Sequence, residues 1–149
     1  MTKRSTVDRM PNARQNQQTM SAERSEGAKP LRWIGRSLDD LRAFPVAVRG
    51  VMGFALRQAQ HGGRHRDAKI LKGFGGAGVL EIVDDHEGDT YRAVYTVRFP
   101  GVVYVLHAFQ KKSKSGIKTP PADMDLIRRR LKDAEDDHAQ RQADEPRRG

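Results

Sequence analysis

The central part of this chain contains three segments in which apolar and polar residues alternate with a two-residue period. They are rich in Val, Tyr, Phe and Ile and span residues 79–83, 90–99 and 102–110. Such alternation predicts β-strands, because successive side chains of a strand point to opposite faces of a sheet. The linkers between them, residues 84–89 and 100–101, are short and rich in turn residues. The three strands are therefore predicted to form an antiparallel sheet.

Helical periodicity lies on both sides of these strands. Ser37 is followed by acidic residues, which predicts that it is the N-cap of a first helix. Pro45 predicts the first position of a second helix, which ends at Gly62. Pro120 and Pro121 predict the start of a last helix. The second and last helices carry apolar stripes at helical spacing: Val48, Met52, Ala55, Leu56 and Ala59, and then Met124, Ile127, Leu131 and Ala134.

A short apolar segment at residues 31–34, bounded by Pro30 and Gly35, predicts one more strand at the start of the folded part. The predicted order of elements is β-α-α-β-β-β-α. This order belongs to the α+β class, with a small, mainly antiparallel sheet and helices on one side of it.

Length, charge and cysteine content exclude several classes of protein. The chain has 149 residues, room for one domain, and a net charge of +9 from 28 basic and 19 acidic residues. Without cysteine it has no disulfides, no cysteine-based zinc sites and no thiol nucleophile. No run approaches the ~18 apolar residues of a membrane span, and the N-terminus lacks the apolar core of a signal peptide. We expect a soluble, cytoplasmic protein with an anionic partner.

Both ends of the chain are polar. Residues 1–29 carry six basic and three acidic residues without apolar periodicity, and residues 139–149 are polar again. Such segments bury too little apolar surface to offset the entropy lost on ordering. We predict disordered tails at 1–29 and 139–149 and a folded domain at 30–138.

Two other patterns have ordinary structural interpretations. The glycine cluster at residues 72–78 lacks the Gly-Lys-Ser/Thr ending of a phosphate loop and precedes a strand, which favours glycine turns. The acidic run at 84–89 lacks the ligand spacing of a calcium loop and is interpreted as a hairpin loop. The five histidines do not have metal-ligand spacing, and we predict neither a metal nor a cofactor.

Strand pairing brings basic residues together. If Pro100 and Gly101 form a two-residue turn, Val94 lies opposite His107 and Arg92 lies opposite Phe109. One face of the sheet then carries Arg92, Val94, His107, Phe109 and Lys111, while Tyr91, Tyr95, Tyr104 and Leu106 lie on the opposite, core face. A three-residue loop would shift this register by one and separate Arg92 from His107, and Pro-Gly is not typical of two-residue hairpins.

Three motifs stand in the order and spacing of a known family. They are Leu-Lys-Gly-Phe-Gly at 71–75, Tyr-Arg-Ala-Val-Tyr at 91–95, and Leu-His-Ala-Phe-Gln-Lys-Lys at 106–112, which continues to Lys-Thr-Pro at 118–120. With these motifs, residues 30–138 closely resemble the phage-derived, HigB-like branch of the RelE/ParE toxin superfamily. The resemblance implies a small antiparallel sheet flanked by two N-terminal helices and one C-terminal helix.

The resemblance also implies a function. It is that of a type II toxin, a metal-independent endoribonuclease that cuts messenger RNA, usually on the ribosome, and is held inactive by a helix-turn-helix antitoxin. The alternative is a non-enzymatic toxin that inhibits DNA gyrase by binding, as ParE-like relatives do. RNA carries its own nucleophile, the 2′-hydroxyl, so proton transfer and charge neutralisation suffice for cleavage.

The residues that match the family's motifs are predicted to surround the scissile phosphate. The catalytic candidates are Arg92, His107, Lys111 and Lys112, and the RNA-binding candidates are Lys72, Lys114 and Lys118. Many relatives carry an arginine where this chain has Val83. The face is expected to display uncompensated positive charge, and Arg92→Ala is expected to abolish toxicity while leaving the fold intact.

Overall fold

A five-stranded sheet forms the centre of the computed structural model, which describes residues 27–111 and 118–145. The strands are β1 (Leu31–Trp33), β2 (Ala68–Ile70), β3 (Val79–His86), β4 (Asp89–Thr96) and β5 (Val103–Lys111), and the helices are α1 (Ser37–Arg42), α2 (Val46–Gln60) and α3 (Pro121–Asp144). The strands lie in the order β1-β5-β4-β3-β2. The predicted α+β class is confirmed.

Of the two edge strands, β1 was predicted from the sequence and β2 was not. The short strand β2, which the sequence did not resolve, pairs antiparallel with β3. At the other edge β1 pairs parallel with β5, where Leu31 lies opposite Val103. β5 pairs with β4 on one side only, so the backbone groups on its other side need partners. Strand β1 supplies hydrogen bonds to them.

The helices lie on both faces of the sheet, so the prediction of helices on one side is wrong. The α2 face is covered by α1 and α2, and its buried residues from β4 are Tyr91, Ala93 and Tyr95. The α3 face is covered by α3, whose Ile127 packs in one cluster with Val94. A sheet whose central strand is buried along six consecutive residues needs a cover on each side. Both predicted apolar stripes face the sheet.

The starts of α1 and α2 differ by one residue from the prediction, whereas α3 begins at Pro121 as predicted. Ser37 is the first residue of α1 and makes no capping hydrogen bond. Its hydroxyl donates instead to the carbonyl oxygen of Val105 at 3.1 Å, because the parallel β1–β5 pair brings the start of α1 against β5. Pro45 is the N-cap of α2 rather than its first residue.

The hairpin between β3 and β4 is tighter than predicted. Both strands extend into the acidic run, His86 pairs with Asp89, and only Glu87 and Gly88 form the turn. Both have positive φ, 51° and 88°, as in the turn that matches the twist of a two-residue hairpin.

The predicted register of β4 against β5 is correct where the candidate residues lie and wrong near the turn. Arg92 pairs with Phe109 and Val94 with His107, as predicted, but Tyr95 pairs with Val105. Leu106 is thus the extra residue of a β-bulge, which absorbs the longer connection. As a result Leu106 and Tyr104 lie on the α3 face rather than on the predicted core face.

The ends of the domain differ from the predicted boundaries by a few residues. Helix α3 continues to Asp144, where the prediction places a tail from 139, and the backbone N–H of Lys29 donates to Gln60 at 2.8 Å. The predicted tails otherwise lie at residues 1–26 and 146–149, outside the described residues. No helix in the described ranges is both long and apolar enough to cross a membrane.

Candidate functional site

A buried ion pair lies on the α3 face of the sheet. Arg92 of β4 donates from Nη1 to Oε1 of Glu81 on β3 at 3.1 Å, and the two residues are only 4% and 7% exposed. The other carboxylate oxygen, Oε2, accepts a hydrogen bond from the hydroxyl of Thr119 at 2.9 Å. The expectation of an uncompensated charge at Arg92 is therefore wrong, because Glu81 balances it.

One donor of Arg92 is not used within this cluster. Its Nε is buried and has no hydrogen-bond partner in the ranges that the structure describes. Leaving a buried donor without an acceptor costs about 1–3 kcal/mol. A phosphate oxygen that reached this N–H would recover that free energy.

A second polar cluster joins β5 to the first turns of α3. His107 Nε2 lies 2.7 Å from Oδ1 of Asp123, and Nη1 of Arg130 lies 3.5 Å from His107 Nδ1. Arg130 Nη1 also donates to the carbonyl oxygen of Leu106 at 3.0 Å, a backbone group at the bulge. Because a guanidinium only donates, this arrangement suits the imidazole tautomer that carries its proton on Nε2.

The face of the His107 imidazole ring also packs against a neighbouring aromatic ring. It stacks on the ring of Phe109 with centroids 4.7 Å apart and 18° between the planes. The residue is 6% exposed, whereas the side chain of Asp123 is 26% exposed. Solvent therefore reaches Asp123 more readily than His107.

The lysines of the predicted site are only partly described. Lys111 Nζ donates to the carbonyl oxygen of Lys118 at 2.7 Å and so joins the end of β5 to the segment before α3. Lys118 and Lys72 are exposed. Lys112 and Lys114 lie outside the described residues.

The glycine turn that carries Lys72 has two arginines beside it. The guanidinium of Arg128 lies 5.6 Å from the centroid of the Phe74 ring, and Arg98 donates from Nη2 to the carbonyl oxygen of Phe74. Positive φ values at Gly73, Gly75 and Gly76, among others, confirm that the cluster serves as a turn. Lys72, Arg98 and Arg128 are all exposed, so cations cluster on this surface.

The arrangement brings Arg92, His107 and Lys111 onto one face, at neighbouring positions of β4 and β5. Arg92 and His107 are not hydrogen-bonded to each other; each has its own carboxylate. A histidine held by a carboxylate is suited to proton transfer, and the cations are suited to hold an anion. No group of three or more His, Cys, Asp or Glu side chains within 27–111 and 118–145 is placed to hold a metal ion.

Four residues of the site were missed from the sequence: Glu81, Thr119, Asp123 and Arg130. A signal existed for the two carboxylates. Glu81 interrupts the apolar run of β3, and Asp123 lies one turn before Ile127 on the buried stripe of α3. A carboxylate at a mostly apolar position of a strand or helix needs a hydrogen-bond donor as its partner, so both positions predicted a polar contact.

Comparisons with known proteins bear on the same part of the chain. The family model described as "Phage derived protein Gp49-like" matches residues 39–132. No curated protein sequence matches the chain.

Solved structures that are similar include the isolated E. coli RelE toxin, with 22% identity, a TM-score of 0.46, and coverage of 68% of this chain and 98% of that one. A mutant of E. coli RelE in the free state has 23% identity and a TM-score of 0.43, covering 54% and 81%. The RelBE2 toxin–antitoxin complex from Mycobacterium tuberculosis has 20% identity and a TM-score of 0.41, covering 56% and 99%.

Proposed function

Because this chain belongs to the Gp49-like family of phage-derived proteins, we propose that it is the toxin of a type II toxin–antitoxin system. Its proposed activity is metal-independent cleavage of messenger RNA, with the ribosome as the site of action. The observation that carries the proposal is family membership over residues 39–132, a range that contains Lys72, Arg92, His107, Lys111 and Lys118. An antitoxin with a helix-turn-helix domain is the proposed partner.

The site chemistry supports cleavage through the 2′-hydroxyl of the RNA. His107, oriented by Asp123 and Phe109, is the candidate for proton transfer. Arg92 is the candidate for binding the phosphate, because its Nε still lacks an acceptor among the described residues. The exposed Lys72 and Lys118 are the candidates for the first contact with the RNA backbone.

The burial of Arg92 and His107 places a condition on this activity. A phosphate can reach Arg92 Nε only if neighbouring side chains move, since both residues are more than nine-tenths buried. The proposal therefore requires that bound RNA opens the α3 face near Thr119 and Asp123. In the proposed order of events, the exposed lysines bind the RNA first, the α3 face then opens, and cleavage follows.

A primer-extension experiment tests the proposal. The wild-type chain is added to a translated message with and without ribosomes, and new 5′ ends are mapped. We expect cuts within the translated region that leave a 2′,3′-cyclic or 3′-phosphate. Lys72→Ala should reduce cutting roughly tenfold or more, whereas Lys69→Ala, which changes another exposed lysine, on β2, should have little effect. Intact message in cells whose growth has stopped would refute nuclease action.

The same burial favours a second candidate, a toxin that acts by binding alone. Arg92 and His107 both have internal partners, as they would in a protein that uses them only for structure. DNA gyrase is then the proposed target, and a supercoiling assay with the purified chain distinguishes the two candidates. Inhibition of supercoiling by DNA gyrase, together with intact messenger RNA, would select the toxin that acts by binding alone.

A further inference from the structure

The outer side of α2 exposes two large apolar side chains, one of which, Phe54, touches the fold through an edge-to-face contact with the His65 ring, with centroids 5.6 Å apart. Val46 is 74% exposed and Phe54 is 53% exposed. They are two of the three large hydrophobic side chains that are exposed in the described part of the chain. Large exposed apolar groups that lie together on one element are typical of protein–protein contacts.

The two side chains stand on either side of a gap. Gly50 lies one helical turn after Val46 and one turn before Phe54, so the three share one face of α2. A Cβ atom added at Gly50 would meet no heavy atom within 4 Å. Next to Phe54 there is a depression of about 340 Å³ lined by Phe54, Arg57, Gln58, His61 and Gly63. Both spaces are suited to an apolar side chain from a partner.

The chain around these spaces is mainly basic, and one carboxylate in this part of the structure, that of Asp67, lies 3.7 Å from His65, whose ring contacts Phe54. Between Asp40 and Asp67 the chain contains no acidic residue and five arginines: Arg42, Arg49, Arg57, Arg64 and Arg66. All five are exposed, and Arg49 is tethered by a hydrogen bond from its Nε to the carbonyl oxygen of Phe44 at 3.0 Å. A partner that combines apolar side chains with negative charge complements this arginine-rich face.

We infer that the face formed by Val46, Gly50, Phe54 and Arg57 docks an acidic amphipathic helix of the antitoxin. This inference rests on the proposed function, which supplies the need for such a partner. Residues 1–26 carry five basic and three acidic residues and so do not supply the complementary charge. The face lies on α2, across the sheet from Arg92 and His107. Changes there do not touch the candidate site.

The test measures binding of the full chain to the purified product of the gene adjacent to its own. Phe54→Glu removes the anchor and adds a negative charge that repels an acidic partner, and it should weaken binding roughly 30-fold or more. Gly50→Gln places a side chain in the gap, where its Cβ meets no heavy atom within 4 Å, and replaces glycine by a better helix former, so we expect the fold to be kept. It should weaken binding roughly tenfold. Raising the salt concentration should weaken wild-type binding as well.

The matched control is Ala139→Glu, which places a carboxylate at an exposed position of α3. It should bind like the wild type. Wild-type binding by both Phe54→Glu and Gly50→Gln, or no binding of the adjacent product by the wild type, would overturn the inference. Two further results with Phe54→Glu would also overturn it. Loss of affinity for a 20-nucleotide single-stranded RNA would show that the face binds RNA, and loss of a dimer in sedimentation would show that it binds a second copy of the chain. Message cleavage by each free variant is measured separately and should equal that of the wild type, so that failure of the proposed nuclease function is seen independently.

Discussion

On the α2 face, β4 presents Tyr91, Ala93 and Tyr95, whereas on the α3 face the same strand presents Arg92 and Val94. The first set joins an apolar cluster of helix and strand residues. The second set lies beside carboxylates, a histidine and a hydroxyl whose partners come from different elements. Burying such polar groups costs free energy unless each finds a partner. The α2 face is thus built for stability, and the α3 face carries the groups that are suited to chemistry.

Truncation of the α2 face should have the largest effect on folding. Tyr95 is 1% exposed, and Tyr95→Ala leaves a cavity between α2 and the sheet. We expect a loss of about 3–5 kcal/mol in the free energy of unfolding, measured by chemical denaturation. Tyr95→Phe keeps the ring and should remain within about 1 kcal/mol of the wild type. A similar loss in both variants would show that the hydroxyl, not the ring, stabilises this face.

Removal of Arg92 tests the α3 face. Glu81 would be left buried without its cation, and only the Thr119 hydroxyl would still donate to it. We expect Arg92→Ala to lower the free energy of unfolding by about 3 kcal/mol. This loss of stability replaces the sequence-based expectation that the fold of Arg92→Ala stays intact. Loss of toxicity in this variant would therefore not by itself identify a phosphate contact, because unfolding would have the same effect.

The double variant Arg92→Met with Glu81→Leu separates the two roles of this pair. It removes both charges and should recover most of the lost stability, because apolar replacements of a buried pair are often neutral. Its nuclease activity should stay below the wild-type level. Recovery of both stability and cleavage would show that the ion pair serves the fold alone.

Two buried tyrosines allow a finer comparison of the faces. Burial raises the pKa of Tyr95 to about 12. Burial, with a 2.6 Å hydrogen bond to Asp137, raises the pKa of Tyr104 to about 12. Because the folded pKa lies above the usual value near 10, this contribution to stability is complete below pH ~10 and is lost as the pH rises towards ~12.

Replacing either tyrosine by phenylalanine should therefore reduce the alkaline loss of stability between pH ~10 and ~12 relative to the wild type. At neutral pH the two variants should differ. Tyr104→Phe loses its bond to Asp137 and should be destabilised by about 1 kcal/mol, whereas Tyr95→Phe should change little. Denaturation curves at pH 7 and across the alkaline range check both effects. An unchanged alkaline slope in both variants would contradict the raised pKa values.

Much of the fold follows from the sequence. The apolar stripes of α2 and α3 and the alternation in β3, β4 and β5 were predicted, because each depends on residues close together in the chain. The phage-derived, HigB-like family was also predicted from short motifs and is confirmed by the match over residues 39–132. The pairing of Arg92 with Phe109 and of Val94 with His107 followed from alternation and one short turn.

Only the tertiary structure decided which charges meet. Glu81 and Arg92 become partners because β3 and β4 pair in one particular register, and Asp123 reaches His107 because α3 crosses that face of the sheet. The bulge at Leu106 and the contact of Ser37 with Val105 likewise depend on a long connection and on the parallel edge strand β1. Local periodicity determines which side chains are buried, but the partner of a buried charge is set by elements far apart in the chain, whose packing no short sequence pattern contains.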